Sequence, residues 1–148
     1  MVNKLKAAVD ARKNESFCII ARTDAIAVEG VSAAIERAQR YQEAGADLIF
    51  VEAATDLATY SKFHRSLSIP ILANMTEFGK TPLANTTDLL NAGVKVALYP
   101  LSVFRAMNQA AWKVLNAIKA QGTQQSCLEQ MQTREELYSL LDYYQYEQ

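Results

Sequence analysis

Four short apolar runs punctuate the chain: FCIIA (17–21), LIFVEA (48–53), ILANM (71–75) and VALYP (96–100). Each is continuous rather than alternating, and rich in Ile, Val, Leu or Phe. That pattern predicts strands buried on both faces, as in a parallel sheet. Longer amphipathic stretches lie between them. In 32–44, Ala34 or Ile35, Ala38 and Tyr41 recur at three-to-four spacing, and Gly45 stands where a helix-ending glycine would. In 56–67, Leu57, Tyr60, Phe63 and Leu67 form one stripe. Thr86, Thr87 and Asp88 open a short helix that ends at Gly93. Ser102 caps a long helix striped by Val103, Met107, Ala110, Val114 and Ile118. Ahead of the first run, Val2, Leu5, Ala8 and Val9 make the apolar side of one more helix.

The run centres, near Ile20, Ile49, Ala73 and Ala97, are 29, 24 and 24 residues apart. Strand–helix repeats of that length give right-handed crossovers and a parallel α/β sheet. The remaining choice is between a doubly wound sheet and a barrel. No glycine-rich phosphate turn follows any of the four runs, which weakens the nucleotide-binding doubly wound option. The end of the chain differs. Thr133 and Glu136 make a capping box, Leu137, Leu140, Leu141 and Tyr144 follow as a stripe, and the chain closes in YYQYEQ. This divides the chain into an α/β part, 1–122, and a helical tail, 123–148. The aromatic tail is expected to pack on something, such as another subunit.

Composition narrows the function classes. The chain has 148 residues, half of them hydrophobic, and a net charge of −1 with the signs interspersed. It is long enough to bury roughly 68–70% of its unfolded surface around one core. It carries no electrostatic footprint for nucleic acid. No apolar run approaches the ~20 residues of a membrane span, and MVNKLKAAVDARKNE has no apolar signal core. Two cysteines, Cys18 and Cys127, make no disulfide framework and fit a reducing cytoplasm. Cys18, inside an apolar run, reads as a buried core thiol. His64, the only histidine, reads as a surface or packing residue on a helix.

In parallel α/β sheets, active sites gather at the carboxyl ends of the strands. The first run ends in Ala-Arg22-Thr-Asp24, the second in Val-Glu52, the third in Ala-Asn74-Met75-Thr76-Glu77 and the fourth in Tyr99-Pro100-Leu-Ser102, with Arg105 a turn later. A fixed arginine grips a carboxylate bidentately. A glutamate holds a cation or its waters, and an asparagine and a threonine orient substrate oxygens. Together they point to a small anionic substrate with a hard divalent metal. The plainer alternative is that strand ends are polar because they meet solvent, with Arg22 and Asp24 pairing only with each other.

ARTDA (21–25), LIFVEA (48–53), LANMTEFG (72–79), ALYPLSVFRAMN (97–108) and MQTREELY…YYQYE (131–147) resemble the methylisocitrate lyase family, within the isocitrate lyase/phosphoenolpyruvate mutase superfamily. The resemblance runs along essentially the whole chain. It implies the C-terminal half of a (β/α)8 TIM-type barrel, four parallel strands with helices and a helical tail. It also implies Mg2+-dependent, retro-aldol-type cleavage of 2-methylisocitrate to pyruvate and succinate, in propionate breakdown by the methylcitrate cycle. Arg22 would bind a carboxylate of this di- or tricarboxylate substrate, and Glu52 would contact substrate or the metal's waters. Asn74, Met75 and Thr76 would line the pocket, and Arg105 and Arg134 would serve as further arginines around the anion. Membership implies a cytoplasmic homo-oligomer, a tetramer in the complete family, with neither membrane nor nucleic acid as partner.

The family's paired metal-binding aspartates and its Lys-Lys-Cys-Gly-His loop, which carries the proposed general acid, do not occur in the chain. No catalytic residue and no direct metal ligand is therefore assigned to it. Met1 falls inside a helix pattern, so the expectation is a truncated gene, an incomplete gene model or one half of a split chain, inactive alone. An isocitrate lyase or a phosphoenolpyruvate/carboxyphosphonoenolpyruvate mutase relative is the alternative within the superfamily. A non-catalytic fragment that acts only by association is the alternative outside it. The runs at 17–21 and 96–100 would form open sheet edges with no lysine inside them, so a stable monomer is not expected.

Overall fold

In the computed structural model, which describes residues 1–147, the four runs become four parallel strands. They are β1 (Ile20–Thr23), β2 (Leu48–Val51), β3 (Ile71–Asn74) and β4 (Val94–Leu98). They lie in the order β1-β2-β3-β4, and every neighbouring pair is parallel. The helices are α1 (Val2–Ala11), α2 (Ile26–Glu29), α3 (Val31–Glu43), α4 (Leu57–Ser66), α5 (Thr86–Asn91), α6 (Ser102–Gln121) and α7 (Arg134–Leu140). Two 3-10 turns, Gln125–Gln130 and Tyr143–Gln145, complete the described residues. The chain forms two compact units, Met1–Ser102 and Val103–Gln148.

In the first unit, one face of the sheet is packed. Ile49, Val51, Ile71 and Ala73 are fully buried there against Ala34, Ala38 and Tyr41 of α3 and Tyr60 and Phe63 of α4. Local chemistry sets the helix ends. Asp56 caps α4, accepting hydrogen bonds from the Thr59 backbone N–H and hydroxyl, both at 2.7 Å. At the end of α3, Gly45 takes a φ of +97°. Its N–H reaches Gln42 O at 2.9 Å and the Ala46 N–H reaches Tyr41 O at 3.0 Å, a Schellman ending. Gly93 (φ +89°) ends α5 in the same hand, and a Cβ there would lie 2.3 Å from His64 Cγ. The histidine is thus a packing residue at the foot of β4.

Several expectations shift. The first strand begins at Ile20, not Phe17. Asn14 makes a turn that takes the Phe17 N–H on its carbonyl at 2.9 Å, and the Asp47 carboxylate takes the Ile19 N–H at 2.8 Å. Phe17 and Cys18 belong to this connection and are exposed, so Cys18 is not a core thiol. The fourth strand starts two residues early because Gly93 releases the chain directly into it, and Lys95 therefore lies inside this edge strand. The cap of α5 is Asn85, whose side chain accepts from the Asp88 N–H. The short helix α2 has no counterpart in the sequence reading.

In the second unit, α7 carries the capping box. Thr133 Oγ1 accepts from the Glu136 N–H, and Glu136 accepts from the Thr133 N–H at 2.7 Å. Tyr138 stacks on Tyr143 at 4.3 Å between ring centroids, and Tyr144 meets both edge-on. The tail aromatics therefore pack first on one another. No residue of α6 is buried, although its apolar stripe is as expected.

The Asp56 cap carries a pH signature. The Thr59 hydroxyl, and then its backbone N–H, hold the Asp56 carboxyl below the usual carboxylate range. A carboxyl depressed on folding stabilises the fold above its ordinary pKa, and the contribution is lost as pH falls through the folded value. Asp56→Ala is expected to lower the melting temperature at neutral pH, with the gap from wild type closing in strongly acidic buffer. A gap that stays constant with pH would remove the carboxylate from this role.

Candidate functional site

The carboxyl edge of the sheet carries a continuous polar chain. Arg22 is the third residue of β1, and its side chain leaves the packed face, because Ala21 and Thr23 on either side point into the core. Register places Phe50 of β2 directly beside it. The guanidinium lies over that ring, 4.9 Å from the centroid. Arg22 Nε and Nη2 donate to the two oxygens of Asp24 at 3.0 and 2.7 Å. Nη2 also lies 3.3 Å from Glu52 Oε2, one residue past β2. Asn74, the last residue of β3, donates from Nδ2 to the same Glu52 oxygen at 3.4 Å. Thr76 Oγ1 donates to Asn74 Oδ1 at 2.8 Å. Beyond them, Ser102 donates to Glu77.

Backbone geometry aims these groups. Ala53, immediately after Glu52, has a φ of +60°, and Phe78, two residues after Thr76, one of +63°. Such left-handed values are uncommon for residues other than glycine. Electrostatics follow the contacts. The hydrogen bonds to Asp24 raise the Arg22 pKa most; burial opposes them, and the charges of Glu52 and Asp24 add to the rise. Arg22 in turn holds the Asp24 carboxyl below its usual range. Beneath this edge, Tyr60 is 1% exposed, and burial, reinforced by the Glu52 charge, pushes its phenol up to about 12.

The structure therefore brings Arg22, Glu52, Asn74 and Thr76 together. Met75 sits among them in sequence, but its side chain is buried in the hydrophobic core, while its N–H donates to Leu98 O at 2.8 Å and ties β3 to β4. Arg105, in the first turn of α6, and Arg134, the first residue of α7, belong to the second unit. The anticipated Arg22–Asp24 pairing forms, and it does so alongside the Glu52 contact rather than instead of it. Phe50 was missed because an aromatic inside an apolar run reads as core. The signal available was period two, which places it on the face of Leu48 and Glu52.

The donor set fits an anion better than a cation. Among the described residues no group of three His, Cys, Asp or Glu side chains comes together to hold a metal. The two carboxylates around Arg22, those of Asp24 and Glu52, are already engaged by its guanidinium. Mg2+ takes near-octahedral oxygen ligation, usually with carboxylates, waters and substrate oxygens. These residues do not make a direct Mg2+ site.

Residues 1–119 match the phosphoenolpyruvate phosphomutase family profile. The chain belongs to that family. Its curated relatives include the 2-methylisocitrate lyase of Escherichia coli K12, 57% identical over 148 residues, covering 100% of this chain and 50% of the relative. The corresponding enzyme of Aeropyrum pernix is 48% identical over 147 residues, covering 99% and 47%. Among solved structures, 2,3-dimethylmalate lyase, described as a PEP mutase/isocitrate lyase superfamily member, superposes with a TM-score of 0.81 at 26% identity, covering 93% of this chain and 49% of that one. A phosphonopyruvate hydrolase complex with oxalate and Mg2+ superposes with a TM-score of 0.80 at 25% identity, covering 99% and 52%. The chain thus spans about half the length of the relatives it matches. Within this phosphomutase family its fold is half of a (β/α)8 barrel, consistent with the C-terminal half.

Proposed function

We propose that this chain is half of a lyase that cleaves 2-methylisocitrate to pyruvate and succinate, in propionate breakdown by the methylcitrate cycle. The observation that carries this reading is the Arg22–Glu52–Asn74–Thr76 chain at the carboxyl edge. Identity of 57% to a 2-methylisocitrate lyase over the whole chain supports the choice of substrate. In this reading the enzyme is a cytoplasmic homo-oligomer, as its two free cysteines fit. No helix among the described residues is long and apolar enough to cross a membrane.

In cleavage the substrate hydroxyl loses its proton and becomes the keto oxygen of pyruvate, while the electron pair of the broken C–C bond passes to the succinate carbon beside a carboxylate, which then takes up a proton. Arg22 grips that carboxylate, and its planar fork holds the group where negative charge develops. Asn74 and Thr76 present an amide and a hydroxyl to substrate oxygens. Glu52 orders Arg22 and Asn74 through a single oxygen. Arg105 and Arg134 add positive charge for the remaining carboxylates. Mg2+ would be the cofactor of the whole enzyme in this reading, supplying Lewis-acid stabilisation of developing charge, and Glu52 would contact its waters.

The test is a barrel completed by joining a preceding half from a relative, assayed for pyruvate from 2-methylisocitrate with isocitrate as comparator. 2-Methylisocitrate should be the preferred substrate. Arg22→Lys, which keeps the charge and loses the fork, should reduce kcat/KM on the order of tenfold or more. Preference for isocitrate would overturn the substrate, and unchanged kinetics in Arg22→Lys would make the arginine a structural residue only.

A further inference from the structure

The first apolar run can lie against β2 in two alignments, and only one of them serves Arg22. In the structure Ile20, Ala21, Arg22 and Thr23 stand opposite Leu48, Ile49, Phe50 and Val51. Ile19, Ala21 and Thr23 are buried on the packed face, and Arg22 projects from the other. A slip of one residue would drive the arginine into that packed face, so the polar pattern forbids it. A slip of two residues keeps every side chain on its own face. It would set Phe17, Ile19 and Ala21 where Ile19, Ala21 and Thr23 now stand, which is a more apolar set. It would also bring Ile20 beside Phe50 and carry the Arg22 backbone roughly 6.6 Å further on. Larger side chains oppose this slip by volume, but polarity favours it. The slipped strand is the one that FCIIA predicts, yet Phe17 is 68% exposed and lies off the sheet.

A clasp at the amino end of the two strands decides between the alignments. The Asp47 N–H donates to Ile19 O at 2.9 Å, and the Ile19 N–H donates back to Asp47 Oδ2 at 2.8 Å. Residue 19 is thus tied to residue 47 in both directions, one step before the first strand pair. Ala46 still belongs to the turn that ends α3, so the carboxylate stands in for a strand carbonyl. Arg12, the residue that ends α1, fixes that carboxylate in turn. Its Nη1 donates to Asp47 Oδ2 at 2.7 Å and to Phe17 O at 3.2 Å, which also holds Phe17 outside the sheet.

We infer that Asp47, held by Arg12, is a positioning residue for Arg22. It locks β1 in the register that sets the guanidinium over Phe50 and beside Glu52. The clasp acts from the amino end of a strand whose carboxyl end bears the arginine. The inference rests on the proposed lyase reading only for what Arg22 binds. Where Arg22 stands is a matter of strand contacts, so contacts decide this inference while pyruvate decides the reaction.

Nuclear magnetic resonance of the 148-residue chain reads those contacts. In the unmodified chain the Arg22 backbone should show cross-strand contacts to Phe50, and its side-chain protons should be shifted upfield by that ring. Asp47→Ala should lose both and gain contacts between Ile20 and Phe50, with those between β2 and β3 unchanged. Asp47→Asn, which keeps an acceptor for the Ile19 N–H, should retain the native contacts. Phe17→Asp should restore them in Asp47→Ala, because the slipped strand would have to bury the new charge. A purely local loss of the Asp47 contacts would show no such rescue. Should Asp47→Ala not fold, Arg12→Gln loosens the clasp more gently. Amides of β1 should then exchange faster on the order of tenfold, those of β3 should be unchanged, and Phe17→Asp should reverse the gain. Arg22 still seated on Phe50 in Asp47→Ala, or no rescue by Phe17→Asp in either background, would overturn the clasp.

Discussion

The 148-residue chain, assayed alone with Mg2+, is expected to release no pyruvate from 2-methylisocitrate. In the proposed reading its strand ends would supply the anion-gripping side of the site, and among the described residues no cluster of three His, Cys, Asp or Glu side chains comes together. Lewis-acid stabilisation of developing charge contributes several kcal/mol to such reactions. Each ~1.36 kcal/mol is a factor of ten in rate, so losing it takes turnover below detection. The measurement is coupled pyruvate detection on the purified chain, then on the chain joined to the preceding half of a relative. Metal-dependent pyruvate from the chain alone, abolished by Arg22→Ala, would show that the rim described here suffices.

Phe63→Ala is the substitution expected to cost most stability. Phe63 is fully buried on α4, one turn beyond Tyr60, in the layer between that helix and the sheet. Ile71 and Ala73 on the facing strand are fully buried too, so the neighbours cannot collapse into the space without breaking their own contacts. Such truncations cost about 3–5 kcal/mol, against total stabilities of about 5–15 kcal/mol for ordinary domains. Leu57→Ala, at the exposed start of the same helix, should cost far less. Urea unfolding of both variants checks the pair. Equal midpoints would mean that α4 does not seal the sheet through Phe63.

The strands were legible because short apolar runs at regular spacing leave few alternatives to a parallel sheet. Their ends were less so. FCIIA reads as one strand, yet Phe17 and Cys18 are held off the sheet by an asparagine turn and by the Asp47 carboxylate on Ile19, contacts between residues far apart in sequence. Lys95 fell outside the expected fourth strand because a charge interrupts an apolar run, whereas on an edge strand it reaches solvent. At the site, Arg22, Glu52, Asn74 and Thr76 stood out as polar groups ending apolar runs. Phe50 did not, because its partner is an arginine on another strand and only register reveals it. Arg134 came from family resemblance alone, since its setting is that of any first-turn helix residue.

The Arg22 fork is not vacant. Asp24 occupies it through two hydrogen bonds, and Arg22 lowers its pKa. A ligand carboxylate arriving at Arg22 therefore exchanges one carboxylate for another and gains little from that contact alone. Displacing this exposed pair costs about 0–1 kcal/mol, which a molecule with two or three carboxylates would recover at its other anchor points. Selection by valence in this way would screen the abundant monocarboxylates of a cell from the rim without any steric filter. It would also free the product fragment once cleavage has split the anchors between two molecules, as Asp24 returns to its place.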